Sequence, residues 1–312
     1  MQVSPARYRQ VTVGALVAVS AIIVSGGAVR LTNSGLGCDD WPNCNSQSFI
    51  DVSSTHSAIE QINRMFTFAV GAAVIAAVLG ALWRVPRRSD LIYLSAWVVL
   101  GVVANAVLGG ISVLVDLHPM AVQGHMLLSM MLVVAATTLV RRASEPDGVP
   151  RVRVVSRPTE QLAWLIFAIT SVAIVAGTVV TGAGPHAGDE TAERLDIAIP
   201  TAARMHAVSV LAAIALSLLL AWRLRSVRAD RRIMQPALAR WIGVALAQAA
   251  LGYIQYFSDV PALLVGLHML GATLVMIATT FLALDARQAV AAAGPLPGSD
   301  HPDGISTRPA SV

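Results

Sequence analysis

Long apolar runs separated by short polar connections dominate the chain. A hydrocarbon core about 30 Å thick needs about 20 predominantly apolar residues per helix. Eight stretches meet this requirement, at approximately 10–31, 62–83, 91–115, 121–140, 162–182, 203–222, 239–258 and 262–283. The pattern therefore predicts an all-α integral membrane protein with eight transmembrane helices.

The charged residues add an orientation to this prediction. Of 312 residues, 55% are hydrophobic and 13% are charged, whereas soluble domains carry roughly 25% charged residues. All 22 basic residues are arginine, and 18 of them lie in the two terminal tails and in the connections 84–90, 141–161 and 223–240. Arginine concentrates in the cytoplasmic connections of membrane proteins. We therefore expect both termini in the cytoplasm and a lipid bilayer around the chain, and no nucleic-acid partner despite the net charge of +4.

An internal repeat divides the chain into two units. At an offset of 143 residues, His125 recurs as His268, Leu108-Gly109 recurs as Leu251-Gly252, and Asn63 corresponds to His206. Self-similarity at a fixed offset indicates a duplicated structural unit. We expect two tandem, pseudo-symmetric four-helix bundles in the same orientation.

This repeat sets the expected domain boundaries. Residues 1–150 form the N-terminal unit and residues 151–287 the C-terminal unit. The remaining residues, 288–312, are rich in Gly, Pro and Ser. That composition predicts a disordered cytoplasmic tail.

Three histidines, His125, His206 and His268, lie in the opening turns of even-numbered helices, in the outer leaflet. An ionisable residue inside a membrane span is costly and indicates a functional site; the alternative is a hydrogen bond between helices from a neutral imidazole. His206 and His268 occupy equivalent repeat positions and suit the two axial positions of a haem iron. A zinc site would need further Cys, His or carboxylate ligands at the same depth, and the second half offers none.

The first half differs at two of these positions. Asn63 stands where the second half has His206, and Glu60 stands where it has Ala203. One half thus has two axial-ligand candidates, while the other has His125, an amide and a carboxylate. The first arrangement suits a permanently bound electron-transfer haem, and the second suits a substrate porphyrin. The alternative for Glu60 is a solvated acid favoured by the helix dipole.

Other polar residues near these positions have more than one interpretation. His56 would share the helix face of Glu60 and Asn63 if that helix began early, although its Ser and Thr neighbours favour a loop. Arg64 and Arg204 would pair with haem propionates or extend to the membrane interface. His118 and His186 lie in outer connections, where a solvated imidazole is the default.

Cys38 and Cys44 are the two cysteines of the chain, and both lie in the first outer loop. Outside the cytoplasm such a pair favours a disulfide. It would serve either as a structural link or as a redox relay.

Together these residues resemble the heme A synthase family, over about residues 10–285. The match rests on four segments: Gly27-Ala28-Val29-Arg30-Leu31-Thr32-Asn33-Ser34-Gly35 running into Cys38-Asp39-Asp40-Trp41-Pro42-Asn43-Cys44, then Glu60-Gln61-Ile62-Asn63-Arg64, then Val180-Thr181-Gly182-Ala183-Gly184-Pro185-His186-Ala187-Gly188-Asp189, and the histidine set. The second segment is similar to the family's E-x-x-H-R, with Asn63 in place of the histidine.

The resemblance implies an enzyme of cytochrome oxidase assembly in the plasma membrane. Haem b would be held by His206 and His268, and the substrate heme O would bind near His125, Asn63 and Arg64, with Glu60 needed for activity. The C8 methyl group of heme O would be hydroxylated twice and dehydrated to a formyl group, with the cysteine pair assisting in some members. Expected partners are heme O synthase and cytochrome oxidase assembly factors, and association into a homo-oligomer is left open.

The departure at Asn63 puts the iron ligation of the first half in question. An asparagine does not replace imidazole as a strong iron ligand. Either the heme O iron has His125 as its one protein ligand, or another group such as His56 serves as the second.

Two other functions compete with the enzyme. A di-haem, cytochrome b-type electron carrier to or from quinone explains the histidine pair but gives no reason for Glu60 or the cysteines. A small-solute transporter explains the duplicated halves but does not need histidines at one depth.

Overall fold

The computed structural model describes residues 2–289, and this part of the chain contains eight helices long and apolar enough to cross a membrane. Their bounds are α1 Pro5–Leu31, α2 Thr55–Trp83, α3 Ser89–Leu114, α4 Pro119–Ala143, α5 Arg157–Ala183, α6 Ile199–Ser226, α7 Arg228–Phe257 and α8 Ala262–Leu284. Large apolar side chains such as Trp97 and Leu211 are exposed on the helix surfaces, as a lipid environment requires. The prediction of an all-α protein with eight spans is confirmed.

Two helices begin well before their apolar stretches. α2 starts at Thr55 rather than near residue 62, because Ser54 and Ser57 form a reciprocal capping box that satisfies free backbone groups at the helix start. The prediction of a loop around His56 is therefore wrong, because this residue lies in α2. α7 starts at Arg228 and contains Pro236, so most of the predicted connection 223–240 is helical. Hydropathy marks the part of a helix that lies in lipid, whereas capping decides where the helix begins.

The helices pack as two rings of four. In the first half α1 contacts α2 and α4, and α3 contacts the same two helices; in the second half α5 and α7 each contact α6 and α8. Between the halves α4 contacts α8, and the contact of α1 with α8 is matched by that of α5 with α4. This reciprocal pattern is what a pseudo-two-fold relation between the halves produces.

The repeat extends to unusual backbone conformations. Asp116 and Leu117, between α3 and α4, have φ angles of 51° and 57°, and Asp259 and Val260, between α7 and α8, have 56° and 55°. Positive φ is rare for bulky residues. Its recurrence at the same offset shows that both halves use the same turn before their last helix.

Two short strands join the end of α8 to the connection after α4. β1, Arg151–Arg153, pairs antiparallel with β2, Arg287–Ala289. The predicted tail 288–312 therefore overlaps a strand at its first two residues, and its remainder, 290–312, lies outside the described residues. Arg141 forms an ion pair of 2.8 Å with Asp285 near the strands.

The two ends of the bundle differ in what they contain. We call the end with residues 84–88, 144–156 and 285–289 the arginine-rich end, and the end with connections 32–54, 115–118, 184–198 and 258–261 the loop end. The two large clusters of buried apolar side chains occupy the helix segments toward the arginine-rich end. The interior toward the loop end is thereby left for a cavity.

Candidate functional site

A cavity of about 940 Å³ lies toward the loop end and extends across both halves. Such a volume is typical of sites for large organic ligands. Seven of the candidate catalytic and haem-binding residues line it: Glu60, Asn63, Arg64, His125, Arg204, His206 and His268.

Four of these side chains lie at one depth. His125 and His268 are each six residues past the first residue of their helix, His206 seven residues and Asn63 eight. All four helices begin at the loop end, and an α-helix rises about 1.5 Å per residue. The four positions therefore lie within about one helical turn of each other along the bundle axis.

His206 and His268 face the cavity as a pair. Their ring centres are 6.3 Å apart and their planes are inclined by 70°. A metal with two imidazole nitrogens at about 2 Å would place the ring centres about 6 Å apart, because each ring centre lies about 1 Å beyond its nitrogen. The separation thus fits two axial ligands of one iron.

The hydrogen bond of His206 agrees with that fit. His206 Nδ1 donates to the carbonyl oxygen of Ala173 at 2.9 Å, which leaves Nε2 as the free acceptor, as is usual for metal-binding histidines. His268 Nδ1 is buried and has no hydrogen-bond partner among the described residues. Within residues 2–289 no group of three or more His, Cys, Asp or Glu side chains is arranged to hold a metal ion. A haem iron needs just two axial side chains, because the porphyrin supplies its other ligands.

A glycine on the neighbouring helix packs against each cavity histidine. A Cβ atom at Gly109, Gly177 or Gly252 would lie 2.9, 3.3 or 3.0 Å from Cε1 of His125, His206 or His268, respectively. The absence of a side chain at these glycines lets each ring approach the adjacent backbone. Sequence reasoning found the repeat that relates Gly109 to Gly252, but it did not reveal this packing role.

The first half offers one imidazole and one amide at the equivalent positions. His125 Nδ1 donates to the carbonyl oxygen of Asn105 at 3.1 Å, so its Nε2 is also free. Asn63 Oδ1 accepts a hydrogen bond of 2.7 Å from Ser25 Oγ. Asn63 therefore lines the cavity without supplying a second imidazole.

Glu60 is buried beside Asn63, with 5% of its surface exposed. Its Oε2 accepts from the backbone N–H of Cys38 at 2.7 Å. Its Oε1 accepts from Arg64 Nη2 at 2.7 Å and from Arg64 Nε at 3.1 Å. The alternative of a solvated acid at a helix start does not fit this environment.

The predicted disulfide between Cys38 and Cys44 is present. Arg64 binds the loop that this disulfide closes. Arg64 donates to the carbonyl oxygens of Asp40 at 3.0 Å and Asn43 at 2.8 Å. Since Glu60 binds both Arg64 and the backbone of Cys38, the carboxylate and the loop form one connected unit. This connection joins residues about 20 positions apart, and no sequence pattern indicated it.

The other histidines of residues 2–289 have structural contacts. His56 hydrogen-bonds Ser34 Oγ through Nδ1 at 3.0 Å and is not among the described residues that line the cavity. His118 caps α4 by accepting from the backbone N–H of Met120 at 3.3 Å. His186 lines the cavity, and its Nε2 donates to the carbonyl oxygen of Val260 at 2.9 Å. The structure therefore does not bring His56 to the site as a substitute ligand.

Arg30 is a cavity residue that sequence reasoning passed over. Its Nη2 donates to the carbonyl oxygen of Thr181 at 2.8 Å, and its Nε donates to that of His186. The available signal was its position, since it is one of the four arginines away from the tails and the arginine-rich connections.

The fold and the cavity define a multi-pass membrane protein with a buried, imidazole-lined site that extends across two repeated halves. A comparison with protein families matches COX15-CtaA, described as cytochrome oxidase assembly protein, over residues 9–58 and 49–280. The chain belongs to this family, the heme A synthase family, which is a family of enzymes that handle haem substrates. The match does not favour the electron-carrier alternative. A comparison with curated proteins finds no match.

Proposed function

We propose that this chain oxidises the C8 methyl group of heme O to a formyl group, with heme O bound in the first half and haem b in the second. The observation that carries the proposal is the asymmetry of one cavity. His206 and His268 form a two-imidazole site on one side, whereas Glu60, Asn63 and His125 line the other.

In the second half, His206 and His268 would hold haem b, and Nε2 of His206 is free to bind its iron. When bound, haem b supplies one-electron redox chemistry. The bond from His206 to the carbonyl of Ala173 fixes the orientation of that ring. Gly177 and Gly252 give both rings the space they occupy.

In the first half, His125 binds the iron of heme O, and Asn63 leaves its other face without a strong protein ligand. Glu60 serves as the proton-transfer group. The doubly hydroxylated carbon loses water to become a formyl group, so one hydroxyl must lose a proton and the other must gain one. A carboxylate beside the substrate can carry this proton, and the bonds from Cys38 and Arg64 hold it in place.

The distribution of arginine supports an orientation in the plasma membrane. The arginine-rich end lies in the cytoplasm with both termini, so the cavity lies in the outer leaflet. The substrate unit is residues 1–150 and the haem b unit residues 151–287. Heme O is delivered by heme O synthase, and heme A is passed on to cytochrome oxidase assembly.

The test is haem extraction and chromatography after co-expression with a heme O synthase. The wild type is expected to accumulate heme A. Glu60→Gln is expected to lower heme A by at least about 100-fold, because proton transfer by a positioned side chain contributes about 10²–10⁴ in rate. Its second-half haem spectrum should be unchanged. Glu160→Gln is the matched control, since Glu160 is a buried glutamate at the arginine-rich end.

Two outcomes would count against the proposal. Accumulation of heme O alone in the wild type would contradict the proposed oxidation of heme O to heme A. Full function in Glu60→Gln, combined with loss of function in His206→Ala, would favour the electron carrier instead.

A further inference from the structure

Arg30 is placed at the junction of the two halves. It lies at the end of α1 and lines the cavity. The two carbonyl groups that it contacts, those of Thr181 and His186, belong to the second half. His186 is itself fixed by its bond to the carbonyl of Val260. The guanidinium is therefore held in one orientation by backbone from α5 and from the connection after it.

The charge of Arg30 has no partner among residues 2–289. No carboxylate in this part of the chain lies within 4.0 Å of its guanidinium nitrogens, and its Nη1 makes no hydrogen bond to the described residues. Carbonyl oxygens satisfy N–H donors but do not neutralise the charge. Arg30 is half-buried, and a charge that is partly withdrawn from water is costly unless it is paired, so this arrangement favours an anion in the cavity.

None of the acidic groups of the described residues forms an ion pair with Arg30. Glu60 pairs with Arg64 at 2.7 Å. Glu193 lies 3.9 Å from His118, and its side chain is 75% exposed. Arg64 is thus neutralised within its own half, whereas Arg30 is not.

We propose that Arg30 binds a carboxylate side chain of the porphyrin in the first-half site. This proposal rests on the proposed function, since it takes a porphyrin carboxylate as the anion. A guanidinium pairs with carboxylates through short, charge-assisted hydrogen bonds. With Nε and one N–H of Nη2 bound to carbonyls, the Nη1 side is the edge that remains for the ligand.

The test compares a porphyrin with its ester. Heme O and heme O dimethyl ester are titrated into purified protein that retains its second-half haem, and binding is followed by absorbance. Esterification removes the negative charges but keeps the macrocycle and the iron. The wild type is expected to bind the free acid about 10- to 100-fold more tightly than the ester, as for a hydrogen bond between charged groups. Arg30→Gln is expected to lose most of this preference, because one of the two carboxylates loses its partner.

Arg87→Gln is the matched control. Arg87 also donates to a backbone carbonyl, that of Leu82, but it lies at the arginine-rich end and is not among the described residues that line the cavity. This variant should retain the wild-type preference for the free acid. If Arg30→Gln does not fold, Arg30→Lys replaces it, and retention of the charge is expected to preserve a reduced preference.

The proposal is overturned if the wild type binds acid and ester equally, or if Arg30→Gln keeps the full preference for the acid. It is also overturned if Arg30→Lys, used as the replacement, shows no preference or the full one. Loss of the preference in Arg30→Gln, in a protein that makes no heme A, would support the Arg30 contact and reject the oxidation reaction. Heme A formation by the wild type, combined with the full preference for the acid in Arg30→Gln, would support the oxidation reaction and reject the Arg30 contact. If the wild type binds neither form, both proposals fail.

Discussion

The two halves share a backbone plan and differ at a few side chains that matter most for chemistry. Both have a left-handed turn before the last helix and a glycine against the histidine of that helix. They differ where His206 is replaced by Asn63 and where Ala203 is replaced by Glu60. Two substitutions therefore distinguish a site with two imidazoles from one with a single imidazole and an acid. The comparison teaches that the two halves share a scaffold, while point differences set which polar groups each half presents to the cavity.

The outer loops extend this difference. The connection 32–54 carries the disulfide and binds Glu60 through the backbone of Cys38. The corresponding connection in the second half, 184–198, has no cysteine and instead supplies a carbonyl group to Arg30. The two loops also meet directly, since the N–H of Gly35 donates to the carbonyl of Gly188 at 2.8 Å. The halves are thus chemically different but joined at the loop end.

The largest expected effect comes from removing one member of the second-half pair. His206→Ala is expected to abolish the low-spin, two-imidazole absorption spectrum of purified protein, because the proposed haem would lose one of its two imidazole ligands. His118→Ala, which removes a histidine that caps α4, should leave the spectrum intact. An unchanged spectrum in His206→Ala would show that the second half does not hold haem in this way.

A smaller effect is expected when the first half is made to resemble the second. Asn63→His should raise heme O affinity by at least about tenfold, equivalent to about 1.4 kcal/mol, and shift the iron to a low-spin spectrum. The reason is that a second imidazole would occupy the open axial position. His56→Ala is the control, since His56 bonds to Ser34 away from the cavity. A heme O spectrum that is the same in Asn63→His and in the wild type would argue against an open position opposite His125.

The smallest effect concerns the glycines that the halves share. Gly252→Ala should weaken haem b binding about fivefold, near the lower end of overpacking costs of about 1 kcal/mol, because the new Cβ would lie 3.0 Å from His268 Cε1 and the ring can shift. Gly109→Ala should weaken heme O binding to a similar degree and leave haem b unaffected. The measurement is haem affinity by absorbance titration.

Gly243→Ala is the matched control for Gly252→Ala. Gly243 is on the same helix, and a Cβ there would meet nothing within 4 Å. Equal effects of Gly243→Ala and Gly252→Ala would indicate a general change in α7 instead of a contact with the histidine.

The sequence by itself determined the eight spans, the repeat, the disulfide and seven of the residues that line the cavity. These features follow from apolar length, from a constant offset between His125 and His268, and from residue type, all of which are properties of the chain read in order. The difference between Asn63 and His206 was visible in the same way. The roles of these residues remain predictions.

The tertiary structure alone decided which side chains meet. It separated His56 from the cavity, placed Glu60 against the backbone of Cys38, and set the 6.3 Å separation of the His206 and His268 rings. It also brought Arg30 to carbonyls more than 150 residues away. In a membrane both the lipid-facing and the interior surfaces of a helix are apolar, so hydropathy does not encode how each helix is rotated against its neighbours. That rotation is fixed by close packing between distant segments, and it decides which polar groups share the cavity.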